Sequence, residues 1–377
     1  MPVSVYWGRP LARQKHWLQV LFSDRWAVAG RTRRFFTWII HGRNTRIILS
    51  EPVDAPKLFE ACHYDSAAIH TQLLELLTQQ RQATFGPQIT SHKILTNTVL
   101  NADSIKQSIK QLVESEPTSV QTLQRKAKHY CDEIFANCTQ ITIELMLRLL
   151  RQFWRRFYSG IDVHNIAPIQ EIALSHQLVY VPCHRSHVDY LLLSYVIFNG
   201  NLAIPYIAAG NNLNVPIIGR ILRGGGAFFI QRSFKDNQLY SVILRQYVQQ
   251  LVDLGIPLEY FIEGGRSRTG RLLTPKLGML EMTISAYIKT QKRPIAFVPV
   301  YIGYEKLIDG QSYLGELLGG EKKGESLLGA LSAIFRLSGH FGRVTASFGK
   351  PIDLNSLLDD HRTDWRNQAV TIDKKPA

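Results

Sequence analysis

The run Leu178-Val179-Tyr180-Val181-Pro182-Cys183-His184-Arg185-Ser186-His187-Val188-Asp189 decides how the chain is read. Its first four residues are apolar without alternation, as in a strand covered on both faces. It then turns polar and enters a helical pattern near 187–198. The texture repeats: strands at 202–207, 227–230, 258–262, 295–302 and 344–348 alternate with helical patterns near 214–222, 237–254, 276–290 and 326–338. This alternation predicts an α/β fold, a mixed sheet flanked by helices. Upstream, amphipathic patterns at 67–79 and 104–114 precede a long one over 120–158, with Ser119 as N-cap and Gly160 as stop. The chain therefore divides into a mainly helical N-terminal region, 1–165, and an α/β domain, 166–377.

Composition narrows the class. The chain has 377 residues, 45% apolar and 20% charged, enough to bury a core. That excludes wholesale disorder and disulfide scaffolds. A mean hydropathy of −0.08 argues against a polytopic membrane protein. Cys62, Cys131, Cys138 and Cys183 lack zinc-ligand spacing and read as free thiols. The N-terminus carries no secretory-signal pattern. The apolar stretch 191–209 is broken by Asn199-Gly200-Asn201 and Pro205, which makes a poor spanning helix.

A formal charge of +14 calls for anionic partners: nucleic acid, acidic lipid or phosphorylated substrates. Residues 1–50 contribute +8 of it, from nine Lys/Arg and one acid, and hold four of the six tryptophans. Arginine interleaved with tryptophan and bulky aliphatics suits a lipid headgroup boundary, so this segment is expected to face a membrane. Residues 147–157 form a second basic, aromatic stretch, readable as a membrane contact or a solvated helix flank.

Polar clusters at strand ends carry the chemistry. His184 leaves the first strand, with Asp189 five residues on. A carboxylate that orients an imidazole makes a base for an alcohol proton. No GxSxG nucleophile elbow occurs, which points to direct attack by a substrate hydroxyl. The run Arg223-Gly224-Gly225-Gly226-Ala227-Phe228-Phe229-Ile230-Gln231-Arg232 lets backbone approach a ligand, with Arg232 at the strand end. In Phe261-Ile262-Glu263-Gly264-Gly265-Arg266-Ser267-Arg268-Thr269-Gly270-Arg271, arginine forks and backbone N–H groups suit a phosphate, and Lys276 follows. Glu263 is expected to orient an arginine and not to bind metal. Pro299, in Phe297-Val298-Pro299-Val300-Tyr301, shapes a pocket wall or marks an edge strand.

These four clusters, in this order, resemble the sequence blocks of the glycerolipid acyltransferase family. The strings HRSHVDYLLL, GGGAFFIQRSF, FIEGGRSRTGR and TPKLGML, with the opening WGRP, are similar to its bacterial, membrane-bound glycerol-3-phosphate branch. The resemblance spans nearly the whole chain, and at this length the long C-terminal part of such enzymes is expected to be absent from it. It implies that His184, paired with Asp189, activates the sn-1 hydroxyl of glycerol 3-phosphate toward the thioester of acyl-CoA or acyl-acyl carrier protein. Arg232, Arg266, Arg268 and Lys276 would hold the phosphate. Gly225, Gly226, Phe229, Glu263, Gly264, Ser267 and Pro299 would shape the pocket, and N–H groups of the glycine block are candidate oxyanion donors. It implies no metal or organic cofactor, anionic lipid and not nucleic acid as the macromolecular partner, and the cytoplasmic face of the bacterial inner membrane. The alternatives are a relative acting on dihydroxyacetone phosphate or 1-acylglycerol 3-phosphate, and a non-catalytic membrane-binding protein.

Overall fold

The computed structural model describes residues 3–6, 46–49, 52–87, 90–115, 117–231, 233, 237–308, 340–362 and 365–366. The four tryptophans of 1–50, Arg232 and the helix expected at 326–338 lie outside them. Residues 1–91 and 92–377 form two compact units. In the first, β1 (Val3–Tyr6) pairs antiparallel with β2 (Arg46–Leu49), and two helices follow, α1 (Ala55–Ala61) and α2 (Ser66–Phe85).

The second unit opens with helices α3 (His92–Leu100), α4 (Asp103–Ser115), α5 (Val120–Ile134) and α6 (Gln140–Phe157). Strand β3 (Gly160–His164), helix α7 (Ala167–Ile172), β4 (Gln177–Pro182), α8 (Asp189–Asn199) and β5 (Tyr206–Gly210) come next. They lead into α9 (Ile218–Gly224), β6 (Ala227–Ile230), α10 (Gln238–Asp253), β7 (Leu258–Glu259) and α11 (Gly278–Thr290). The described elements end with β8 (Ile295–Tyr304), β9 (Arg343–Phe348), β10 (Ile352–Asp353) and α12 (Leu354–His361).

The sheet runs β3-β9-β8-β4-β7-β5-β6, with β10 also on β8. Strands β8, β4, β7, β5 and β6 are parallel; β9 and β10 run antiparallel to β8. This is the expected mixed sheet flanked by helices, with the α/β layering that the alternation predicts. Helix α10 buries Leu239, Tyr240, Ile243, Leu244, Tyr247, Val248, Leu251 and Val252, a stripe wide enough to touch the sheet and other helices at once. Its core joins Leu95, Ile105, Leu123 and Cys131 of α3, α4 and α5 to Val179, Phe228, Leu258 and Phe297 of the strands. The division expected at 165/166 therefore falls inside one unit, because the upstream helices bury their apolar faces on α10.

The expected 120–158 helix is two helices. Between them Asn137 N–H donates to Arg223 O at 3.1 Å and Thr139 N–H to Gly224 O at 3.0 Å, while Arg223 donates to Phe135 O. Long-range partners replace the helical ones, and Thr139 caps α6 through Thr142 N. The helix ends at Phe157, and Gly160 opens the unanticipated strand β3. Strand β5 starts at Tyr206, after Pro205, not at 202, and β7 pairs only over Leu258–Glu259. Helix α3 was not anticipated either. The apolar 191–209 stretch is shared between α8 and β5, and among the described residues no helix is long and apolar enough to cross a membrane.

One charge-bearing residue sits in the middle of this sheet. Glu259 pairs with Tyr180 on one side and Ile207 on the other and is fully buried. Neither carboxyl oxygen has a hydrogen-bond partner. Burial first, and the Asp189 charge second, push its pKa well above the ordinary carboxyl value of 4.5. The folded state thus holds a proton that the unfolded chain releases, so stability falls as pH rises from about 4.5 toward the folded-state value. Glu259→Gln removes this dependence. Urea titrations across mildly acidic to alkaline pH should show the variant gaining on wild type with pH, by up to about 1.4 kcal/mol per unit. A pH-independent difference would show that Glu259 is ionised in the fold.

Candidate functional site

Strand β4 delivers the first cluster to the carboxyl end of the parallel strands. Its end is pinned to β8: Cys183 N–H donates to Val300 O at 3.0 Å, and Ile302 N–H reaches Cys183 Sγ at 3.2 Å. The next turn wraps around Asp189, the first residue of α8. Arg185 N–H and Ser186 N–H donate to Asp189 Oδ2 at 2.6 and 2.8 Å. His184 Nδ1 lies 3.0 Å from the same oxygen, and Tyr304 Oη donates to Oδ1 at 2.7 Å. Asp189 is completely buried, whereas the His184 side chain keeps 16% of its surface exposed. A buried carboxylate needs donors, so Nδ1 carries the proton and Nε2 is the bare nitrogen of the neutral ring. The imidazole also lies against the Phe261 ring, with centroids 4.0 Å apart. The ring on Asp189 is that of His184.

The third cluster is laced to the first. Ser267 N–H donates to His184 O at 2.8 Å, and Ser267 Oγ donates to Arg271 O. Glu263 is buried; His184 N–H and Leu273 N–H donate to its two oxygens at 3.2 and 3.0 Å. The acceptors expected to orient an arginine thus clamp two backbone segments, because the turn leaves those amides no other partner. Gly264 adopts φ +60°, and a Cβ there would stand 2.6 Å from Lys276 Cδ, so glycine fits both the turn and the lysine stem. Lys276 N–H donates to Ile262 O at 2.7 Å, which folds that residue back over the loop. Arg266 and Arg268 are half-buried; Arg271 and Lys276 are exposed. Arg185 joins this wall, donating to Gly270 O and stacking over Tyr301.

The second cluster does something other than expected. Gly225 N–H donates to Ile221 O and Leu222 O, and Gly226 N–H to Arg223 O. These amides close the end of α9 and are not oxyanion donors. The glycines serve packing: a Cβ on Gly225 would stand 2.7 Å from Met146 Sδ, and Gly226 has φ +107°. Phe229 is fully buried, beneath the Arg223 guanidinium at 4.6 Å.

Gly225 and Ala227 line a small apolar groove between α6, α8 and the β5–β6 edge. Ile143, Met146, Leu147 and Leu150 form one wall, Tyr190 and Leu191 another. Tyr190, a lining residue, directly follows Asp189 in the chain. Pro299 is neither an edge-strand residue nor part of this wall. It lies in β8 opposite Val181, one residue beyond the Val300–Phe348 pair that ends the β9 ladder, and its carbonyl accepts from Gly349 N–H at 2.8 Å.

Comparison with known proteins adds a second line of observation. Three family models match: "Glycerol-3-phosphate acyltransferase PlsB N-terminal domain" over 1–86, "Acyltransferase" over 160–303 and "Glycerol-3-phosphate acyltransferase C-terminal region" over 313–377. A glycerol-3-phosphate acyltransferase of Ectopseudomonas mendocina is 42% identical over 380 residues, covering 100% of this chain and 46% of the relative. One of Pseudomonas fluorescens is 43% identical over 381 residues, with the same coverage. The chain thus spans about half the length of these relatives. The crystal structure of the 1-acyl-sn-glycerophosphate acyltransferase PlsC from Thermotoga maritima aligns over 62% of this chain and 81% of that one. Its 16% identity and TM-score of 0.36 leave it too distant to add weight. Along its whole length the chain is thus similar to glycerol-3-phosphate acyltransferases.

Proposed function

We propose that this chain transfers a fatty acyl group from acyl-CoA or acyl-acyl carrier protein to the sn-1 hydroxyl of glycerol 3-phosphate. The product is lysophosphatidic acid, the first intermediate of phospholipid synthesis. The observation that carries the reading is the His184–Asp189 pair, tied through Ser267 N–H to an arginine-rich loop and followed in the chain by Tyr190, which lines an apolar groove.

His184 Nε2 takes the hydroxyl proton as the oxygen attacks the thioester carbonyl. Asp189 stabilises the imidazolium that forms. The tetrahedral intermediate expels the thiolate, which recovers the proton from His184. Arg266, Arg268, Lys276 and Arg232 hold the acceptor phosphate, and that anchoring fixes the attacking hydroxyl, a large part of the barrier in a direct transfer. The groove takes the acyl chain. Work on a product that enters the bilayer suits the cytoplasmic face of the inner membrane, with residues 1–50 toward anionic lipid.

The test is thiol release with glycerol 3-phosphate and palmitoyl-CoA. His184→Ala should lower kcat by two to three decades or more, the usual scale for a general base. Arg268→Ala should raise KM for glycerol 3-phosphate about tenfold, the scale of one charge-assisted hydrogen bond. Full activity in His184→Ala would sink the mechanism. A preference for dihydroxyacetone phosphate or 1-acylglycerol 3-phosphate in competition would reassign the acceptor.

A further inference from the structure

Helix α6 has two unlike sides. Ile143, Leu147, Leu150 and Trp154 are buried, so the tryptophan of the 147–157 stretch belongs to the core. On the other side Leu145 and Leu149 are 55% and 61% exposed. They share that side with exposed Arg148, Arg151, Arg155 and Arg156, and no acidic residue of the helix is exposed. Helix α9 lies against α6 at Gly224 and Gly225, where a Cβ would collide with Thr142 and Met146. It adds Ile221, 46% exposed, beside exposed Arg220.

Ile217, just before α9, is the most telling residue. It is 73% exposed and held at φ 71°, ψ −62°. Ile218 N–H donates to Pro216 O at 2.9 Å, which closes a γ-turn around it. That turn is rare and strained, and most so for a β-branched residue. Core packing returns nothing for the strain, since the side chain points into solvent.

We propose that the outward faces of α6 and α9 dock on an anionic lipid bilayer. Leu145, Leu149, Ile217 and Ile221 enter the acyl boundary, and the five arginines meet lipid phosphates. The inner sides of the same two helices line the apolar groove. Nucleic acid would leave four aliphatic side chains without a role, because single strands are gripped by aromatic stacking. A second copy would set arginines against arginines. The assignment does not depend on the proposed reaction.

The experiment places an environment-sensitive fluorophore on Ile217→Cys or Leu149→Cys in the 377-residue chain, with Cys138 and Cys183 replaced by serine. Lys289→Cys on α11, exposed and outside the patch, is the control. With phosphatidylcholine vesicles containing phosphatidylglycerol, labels at 217 and 149 should brighten and shift to the blue, and the control should not. Leu145→Ser with Leu149→Ser should weaken vesicle partition about tenfold or more, the scale of losing one or two buried leucines. Ile217→Gly should weaken it too while leaving the thermal midpoint equal or higher, as the strained residue is relieved. Labels that stay water-like while the chain sediments with vesicles would overturn the proposal. So would a blue shift without lipid that rises with protein concentration, or a midpoint lowered by Ile217→Gly.

Discussion

The site depends on one buried charge. Asp189 has no solvent contact and four donors: His184 Nδ1, two backbone N–H groups from the turn before it and Tyr304 Oη. Leaving such a carboxylate unpaired costs several kcal/mol, so the turn and the end of β8 must close on it together. Its place in the first turn of α8 adds the favourable end of the helix dipole. The imidazole is one arm of this arrangement, and its orientation follows from the burial of its partner.

The contrast with Glu259 shows how donors decide a carboxyl's state. Both groups are fully buried, yet Asp189 is surrounded by donors and Glu259 has none. The fold thus surrounds the carboxyl beside the histidine with donors and leaves the Glu259 carboxyl without any, which burial pushes toward its neutral form. Backbone clamps from Glu263 and Ser267 hold an arginine-rich loop against His184, and α6 and α8 wall an apolar groove whose lining includes Tyr190, the residue after Asp189.

Much of this was legible in the sequence where the signal is local. Apolar strands alternating with helices gave the layer architecture, and the five-residue step from His184 to Asp189 named the pair. What stayed hidden depends on distant residues. Tyr304 lies 115 positions from Asp189 and belongs to no motif. The helix break at 135–139 exists because Asn137 and Thr139 find carbonyls at 223 and 224. Strand β3, half-exposed and short, has no apolar run to announce it. Glu263 was misread because a carboxylate among arginines reads as an ion-pair partner, whereas its partners are backbone amides. The glycine block misled similarly: its amides are spent at a helix end, and its missing side chains make room for Met146.

The central claim, that buried Asp189 fixes His184 with Nε2 bare, is tested most directly by nitrogen-15 NMR of the His184 ring. In wild type at a pH where the ring is neutral, Nδ1 should carry the proton, and Asp189→Asn should shift the ring toward the other tautomer. A wild-type ring protonated on Nε2, or a tautomer unmoved by Asp189→Asn, would contradict the account.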